Sequence, residues 1–170
     1  MTIAPTLQSL IADRWIGRSA AAALKSAVNG KTVYYTHSDG IDFAEALHHA
    51  RTTGGPALLA LDFQQRAARL KALASYLIEH KEKLYPISAH TGATRADGWV
   101  DIEGGAGTLF AYASVGAGEL PSGNVVHEGP AMPLGKKGGF AGTHILVPRG
   151  GVAVHINAFN FPIWGLLEKF

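Results

Sequence analysis

Two asparagines, Asn157 and Asn160, stand in the run VAVHINAFNFPIWGLLEK at residues 152–169. A buried-type strand leads there through a small-residue turn into Asn-Phe-Pro and a helix. In open α/β sheets ligands bind beyond the C-terminal ends of the strands, and the turn at 157–160 lies at such an end. A strand ending in such a turn delivers a polar side chain into a cleft, which suits a functional role for the asparagines. The same spacing also suits a plainer role. Asn is a favoured helix cap and Pro a favoured first helical residue, so Asn160 could simply cap a helix starting near Pro162. Spacing alone leaves both roles open.

Other residue types that could do chemistry narrow the field. The 170 residues contain no cysteine, which excludes a disulfide framework, a thiolate metal site and a cysteine nucleophile within them. Eight histidines invite a metal reading, but His48 and His49 are adjacent on a helix and point apart. His80, His90 and His127 show no ligand spacing with a carboxylate, so no metal site is expected. Gly105-Ala106-Gly107 begins like a dinucleotide fingerprint, yet Phe110 stands where its last glycine is required. Helix packing explains those glycines better. Residues 129–137 resemble a phosphate loop with one residue too many, and Lys137 replaces the Ser or Thr that would meet magnesium. They read as a surface loop.

The elements that would position the turn follow from periodicity. Residues 10–35 alternate short apolar and polar stretches, and TVYY at 32–35 is strand-like, which predicts one antiparallel hairpin. Residues 41–115 read as a helical region. A turn at 38–40 precedes Asp42, placed to cap a helix with Phe43, Ala46, Leu47 and Ala50 at helical spacing, stopping at Gly54-Gly55-Pro56. After Asp62, the steps Phe63, Ala67, Leu70, Ala74 and Leu77 predict an apolar stripe opposite Gln64, Arg69 and Lys71. A helix from the low eighties to His90 comes next, and another over 99–115, in which Gly104, Gly105 and Gly107 permit close packing. Residues 116–139 are rich in Gly and Pro without a usable period, which predicts a loop. Residues 140–147 and 152–156 are β-prone runs, giving strands over 140–156. The turn and final helix occupy 157–170. That helix shows no C-cap signal before Phe170, so more protein is expected beyond it.

Composition sets the class. The hydrophobic fraction of 47% suits a globular domain, while 16% charged residues is low and predicts a surface that meets another surface. A formal charge of +2 is too small and scattered for a nucleic-acid or membrane-binding patch, so neither partner is expected. The first fifteen residues lack the basic start and apolar core of a signal peptide, and no apolar run is long enough to span a bilayer. A cytoplasmic protein is the expectation.

The run Ala158-Phe159-Asn160-Phe161-Pro162, followed by Lys169, resembles the aldehyde dehydrogenase family, whose turn reads approximately Pro-Trp-Asn-Phe-Pro with a lysine nine residues after the asparagine. Ala and Phe in place of Pro and Trp look like the branch acting on CoA-linked semialdehydes in aromatic-ring, notably phenylacetate, catabolism. That resemblance extends through SDGID at 38–42, QRAARLKALASYL at 65–77, TGATRADGWVDIEGGAGTLFAYAS at 91–114 and GVAVHINAFNFP at 151–162. It implies the α/β fold of the family, here its incomplete N-terminal part, with a Rossmann-like cofactor domain, helices and oligomerisation strands at 140–147.

The activity implied is oxidation of a CoA-linked semialdehyde to the acid with NADP or NAD, the resemblance leaning to NADP. In the family a cysteine thiolate attacks the aldehyde, and Asn160 matches the residue that holds the resulting oxyanion. Ile156, Asn157, Ala158 and Phe159 match the wall beside the nicotinamide ribose, and Lys169 matches the lysine near the same cleft. The cysteine and the general-base glutamate of the family are expected beyond Phe170, together with most adenosine-binding elements. Proteins of this branch also carry a hydratase-like domain that opens an oxepin-CoA ring, and none of it is present here. A homo-oligomer is implied for the full-length protein. The alternative is a non-catalytic interaction or scaffold remnant of the same fold.

Overall fold

A computed structural model of the chain describes residues 4–17 and 22–170; residues 18–21, inside the expected hairpin, and residues 1–3 lie outside the described residues. Where one hairpin is expected over 10–35, there are two. Strands β1 (Ser9–Ile11) and β2 (Arg14–Ile16) pair antiparallel, as do β3 (Ala22–Lys25) and β4 (Thr32–Thr36). The first is closed by Ala12 and Asp13, both at positive φ (47° and 61°), a two-residue turn whose twist matches its strands. Neither residue is a glycine, so the turn carries little sign of itself at the level of residue type.

Asp42 caps α1 (Phe43–His49), its carboxylate accepting from the N–H groups of Ala44 and Glu45 at 2.9 and 3.0 Å. The helix does not stop at Gly54-Gly55-Pro56 as expected. A π-helical turn over Ala50–Gly54 carries it into α2 (Gly55–Leu59), the Gly55 N–H reaching the Ala50 carbonyl. Pro56 enters in the first turn of α2, where its missing N–H costs little.

The largest packed unit is helical. Its first member, α3 (Phe63–Glu79), opens with a capping box in which Asp62 accepts from the Gln65 N–H at 2.7 Å and Gln65 accepts from that of Asp62 at 3.0 Å. Helix α4 (Lys81–Ala89) follows, then α5 (Arg95–Gly118), begun by a second box between Thr94 and Asp97. Ala67 and Ala74 of α3 meet α5 at Gly116 and Leu109; a Cβ on Gly116 would lie 3.1 Å from that of Ala67. Small residues at this seam let the two helices approach closely. Ala74, Leu109 and Leu167 form the buried core, with Leu70, Leu73, Leu77, Ile163 and Leu166 packed around it. Burial of each large aliphatic side chain contributes roughly 1.5–3 kcal/mol. Gln64 departs from its expected outward face: its amide donates to the Leu120 carbonyl at 3.0 Å and ties α3 to the end of α5.

The loop expected over 116–139 contains a strand. β5 (Val126–Pro133) pairs antiparallel with β6 (Ala141–Leu146), from Val126 opposite Leu146 to Pro133 opposite Ala141. Gly129, Pro130 and a register shift between Glu128 and Met132 erase the alternation by which a strand is recognised. Residues 152–156 show the reverse. They have strand propensity but no strand partner, and residues 148–160 make no backbone–backbone hydrogen bond among the described residues.

The structure therefore mixes helices and strands, as an α/β chain should, but no parallel sheet forms among the described residues. Among the described residues the sheets are three antiparallel pairs, with one isolated parallel bridge between Thr6 and Tyr35. The last helix, α6 (Pro162–Leu167), packs on α5. It ends at Leu167 rather than running to Phe170, with the Lys169 ammonium donating to the Gly165 carbonyl at 3.0 Å. A basic side chain returning to the last turn satisfies a carbonyl that the helix leaves open.

Candidate active site

The turn that carries Asn160 is anchored through α6, and α6 is anchored by α5. Gly104 and Gly105 open a flat place on α5 for Trp164. A Cβ on Gly105 would stand 3.0 Å from the Trp164 Cα and 3.1 Å from its N, both backbone atoms, so only glycine fits. Four residues earlier, one helical turn along α5, Asp101 is 2% exposed. Its carboxylate accepts from the backbone N–H groups of Trp164 at 2.8 Å and Ile163 at 3.1 Å. These are orphan donors of the first turn of α6, and a carboxylate there also meets the positive end of the helix dipole. Burial raises the Asp101 carboxyl above its ordinary range, while the Trp164 and Ile163 hydrogen bonds pull it back.

Asn160 is consequently not the cap of α6. The cap position is Phe161, which brings no side-chain hydrogen bond, and Asp101 does the capping from a residue some sixty positions earlier in the chain. The Asn160 side chain is exposed and makes no hydrogen bond among the described residues. Its neighbours are just as open. Ile156 is 94% exposed and Phe159 79%, Ala158 is exposed, and Asn157 is half-buried with its Oδ1 beside Gly165.

Lys169 lies past the other end of α6, so the helix separates it from Asn160. Its ammonium pairs with Glu168 as well as the Gly165 carbonyl, and its stem lines a cleft of about 560 Å³ with Arg66, Arg69, Val152 and His155. The residues expected to act together thus form one contiguous turn at 156–160 with Lys169 apart from it.

Asp101 was not among the expected site residues, although the sequence carried a sign of it. Asp101 is the one acid among the buried residues of α5, which otherwise are glycine, alanine, Ile102 and Leu109, and a lone acid on such a stripe needs a partner.

A second polar group joins α4 to α5. The Tyr85 hydroxyl donates to Glu103 at 2.7 Å, Lys81 pairs with the same carboxylate at 3.0 Å, and the Arg95 guanidinium lies 3.3 Å over the Tyr85 ring while pairing with Glu82 at 2.9 Å. Burial, then the bond to Glu103, push the Tyr85 phenol to about 12. It remains a hydroxyl at neutral pH and serves as a clamp between helices. Glu103 is held below the ordinary carboxylate range by the bonds from Tyr85 and Lys81.

Among the described residues there is no cluster of three or more His, Cys, Asp or Glu that could hold a metal ion. Nor is any helix there long and apolar enough to cross a membrane.

Comparison with known proteins gives this geometry a setting. The model of the aldehyde dehydrogenase family matches residues 16–170. A 3,4-dehydroadipyl-CoA semialdehyde dehydrogenase of Aromatoleum evansii is 44% identical over 165 residues, covering 96% of this chain and 32% of that protein. The chain spans about a third of the length of that curated relative. With the family match running from the second hairpin strand through the Asn160 turn to the last residue, the chain belongs to the aldehyde dehydrogenase family.

Proposed function

We propose that this chain is part of an NAD(P)-dependent dehydrogenase that oxidises a CoA-linked semialdehyde to the acid, with Asn160 donating to the oxyanion. One observation carries this reading: the Asn160 amide is exposed and unengaged on a turn whose helix is capped by another residue. An uncommitted donor on an anchored turn is available to a reacting oxygen without first breaking a bond.

The chain has no cysteine, so the attacking thiolate must come from outside these residues. Since the chain spans about a third of its relative, the nucleophile and the general base are assigned to further family segments.

The residues present fit one wall of a nicotinamide-ribose site. From Ile156 through Asn157, Ala158 and Phe159 the backbone has no backbone partner, and the side chains of Ile156 and Phe159 lend apolar surface beside it. The dinucleotide, when bound, supplies the hydride acceptor. The 156–159 backbone offers N–H and C=O groups that orient a ribose. Asn160 then donates an N–H to the aldehyde-derived oxygen as negative charge gathers on it. Lys169 can reach a ribose hydroxyl only after its ammonium leaves the Gly165 carbonyl and Glu168.

NADP is the preferred dinucleotide in this reading, phenylacetate catabolism its setting and the cytoplasm its location. A parent protein that also opens an oxepin-CoA ring extends the same proposal. Phe140, Ile145 and Val147 leave β6 and its flanks apolar and exposed, which supports a homo-oligomer joined through that hairpin.

The test is turnover of the protein carrying the complete family domain, assayed with 3,4-dehydroadipyl-CoA semialdehyde and NADP or NAD. Asn160→Ala is expected to lower kcat about 100- to 1000-fold with little change in cofactor binding. Unchanged kcat would remove Asn160 from the chemistry. A second reading, from a different class, is a scaffold without activity of its own, since a fold does not by itself fix a function. Dehydrogenase turnover by the 170 residues alone would overturn that reading, and with it the need for an outside thiolate.

A further inference from the structure

Building on that reading of Asn160, we propose that Asp101 is a positioning residue for the dehydrogenase site: its buried carboxylate seats the first turn of α6 on α5 and so fixes the turn that carries Asn160.

Three observations converge on this role. The carboxylate holds two successive backbone donors, Ile163 and Trp164, from an element more than sixty residues away in sequence, so the bond fixes one helix against another. An ordinary cap only closes its own helix. Gly105 brings the backbone of Trp164 into direct contact with α5, which leaves no room for α6 to slide while these bonds hold. The link from Trp164 back to Asn160 is short and stiff. It passes through Pro162, whose ring fixes φ, and Phe161, whose ring packs edge-on against Trp164 with centroids 6.4 Å apart.

On the other side the half-buried Val152, His155 and Asn157 give side-chain packing, but residues 148–160 have no backbone–backbone hydrogen bonds among the described residues, so the hydrogen-bonded constraint on Asn160 comes from the α6 end. Asp101 itself, 2% exposed beneath α6, is committed to those backbone donors. Its influence on the reaction runs through Asn160.

A displacement of about 1 Å in a reacting group can cost on the order of 100-fold in rate. Asp101→Ala in the complete enzyme is therefore expected to lower kcat about 10- to 100-fold while the KM values for semialdehyde and cofactor stay within about threefold. Asp101→Asn keeps one acceptor for the Trp164 N–H and should fall between that variant and the native enzyme.

The decisive measurement is a double-mutant cycle with Asn160→Ala, rates being taken per folded protein as judged by circular dichroism. If Asp101 acts through Asn160, adding Asp101→Ala to Asn160→Ala changes kcat by no more than about twofold. The same loss in both backgrounds, or no loss in the native one, overturns the proposal and leaves Asp101 a stabiliser of the fold. Should Asp101→Ala not fold, Asp101→Asn replaces it in the cycle and is read by the same outcomes. Failure of the underlying reading looks different, because there Asn160→Ala by itself leaves kcat intact.

Discussion

The block of α3, α5 and α6 and the segment 126–160 differ in what holds them. In the block, Leu109 is 0% exposed and every helix contacts another through apolar or glycine surfaces. In the segment, a bulged hairpin runs into thirteen residues without backbone pairing, ending at the exposed Asn160. Rigidity is concentrated in one region and candidate chemistry in the other, with α6 as the joint. The contrast has a physical logic. A donor meant for a ligand must stay uncommitted to protein acceptors, so its position has to come from the packed elements beneath it.

The contrast can be broken or sharpened by substitution. The largest stability effect is expected at Leu109→Ala, which empties the centre of the block and should cost about 3 kcal/mol in urea unfolding. A loss under about 1 kcal/mol would mean that the helices are not close-packed there.

Tyr85→Phe should cost about 1.5 kcal/mol near neutral pH by removing the bond to Glu103. The phenol has its pKa raised from 10.0 to about 12, so the stabilisation it contributes is complete below pH 10 and lost as pH rises toward 12. Stability measured against pH should thus decline above pH 10 more steeply in the native chain than in Tyr85→Phe. Parallel curves would place Tyr85 in water.

The smallest effect belongs to the open segment: Ile156→Ser should change unfolding stability by no more than about 0.5 kcal/mol. A cost above about 1.5 kcal/mol would show that this side chain is covered in solution, and the contrast between the two regions would disappear.

Much of the helical part of the chain was readable because its signals are local. Asp42 and Asp62 announce helix starts by side-chain chemistry that acts within three residues, and the stripe from Phe63 to Leu77 repeats at the helical period. The π-helical turn at Ala50–Gly54 was not readable, since Gly54-Gly55-Pro56 spells an ending wherever backbone bonds are not rerouted. β5 was hidden by its bulge and prolines, and only its pairing with β6 reveals it.

At the candidate site the sequence singled out the Asn160 turn by its own pattern of strand, small residues, Asn-Phe-Pro and helix. It could not choose between cap and donor, because that choice depends on which acceptor reaches the α6 donors. The structure supplied Asp101 as that acceptor, one turn of α5 away from the glycines that admit Trp164.

By itself, then, the sequence determined the helix starts, the apolar stripe, the lack of a thiol and the identity of the amide at the turn. All are properties of single residues or of neighbours within a few positions. Tertiary structure alone decided that α6 is capped from α5, that Asn160 is left free and that residues 152–156 stand unpaired. Those outcomes turn on hydrogen bonds between groups far apart in the chain, for which a donor's partner is set by packing and not by spacing.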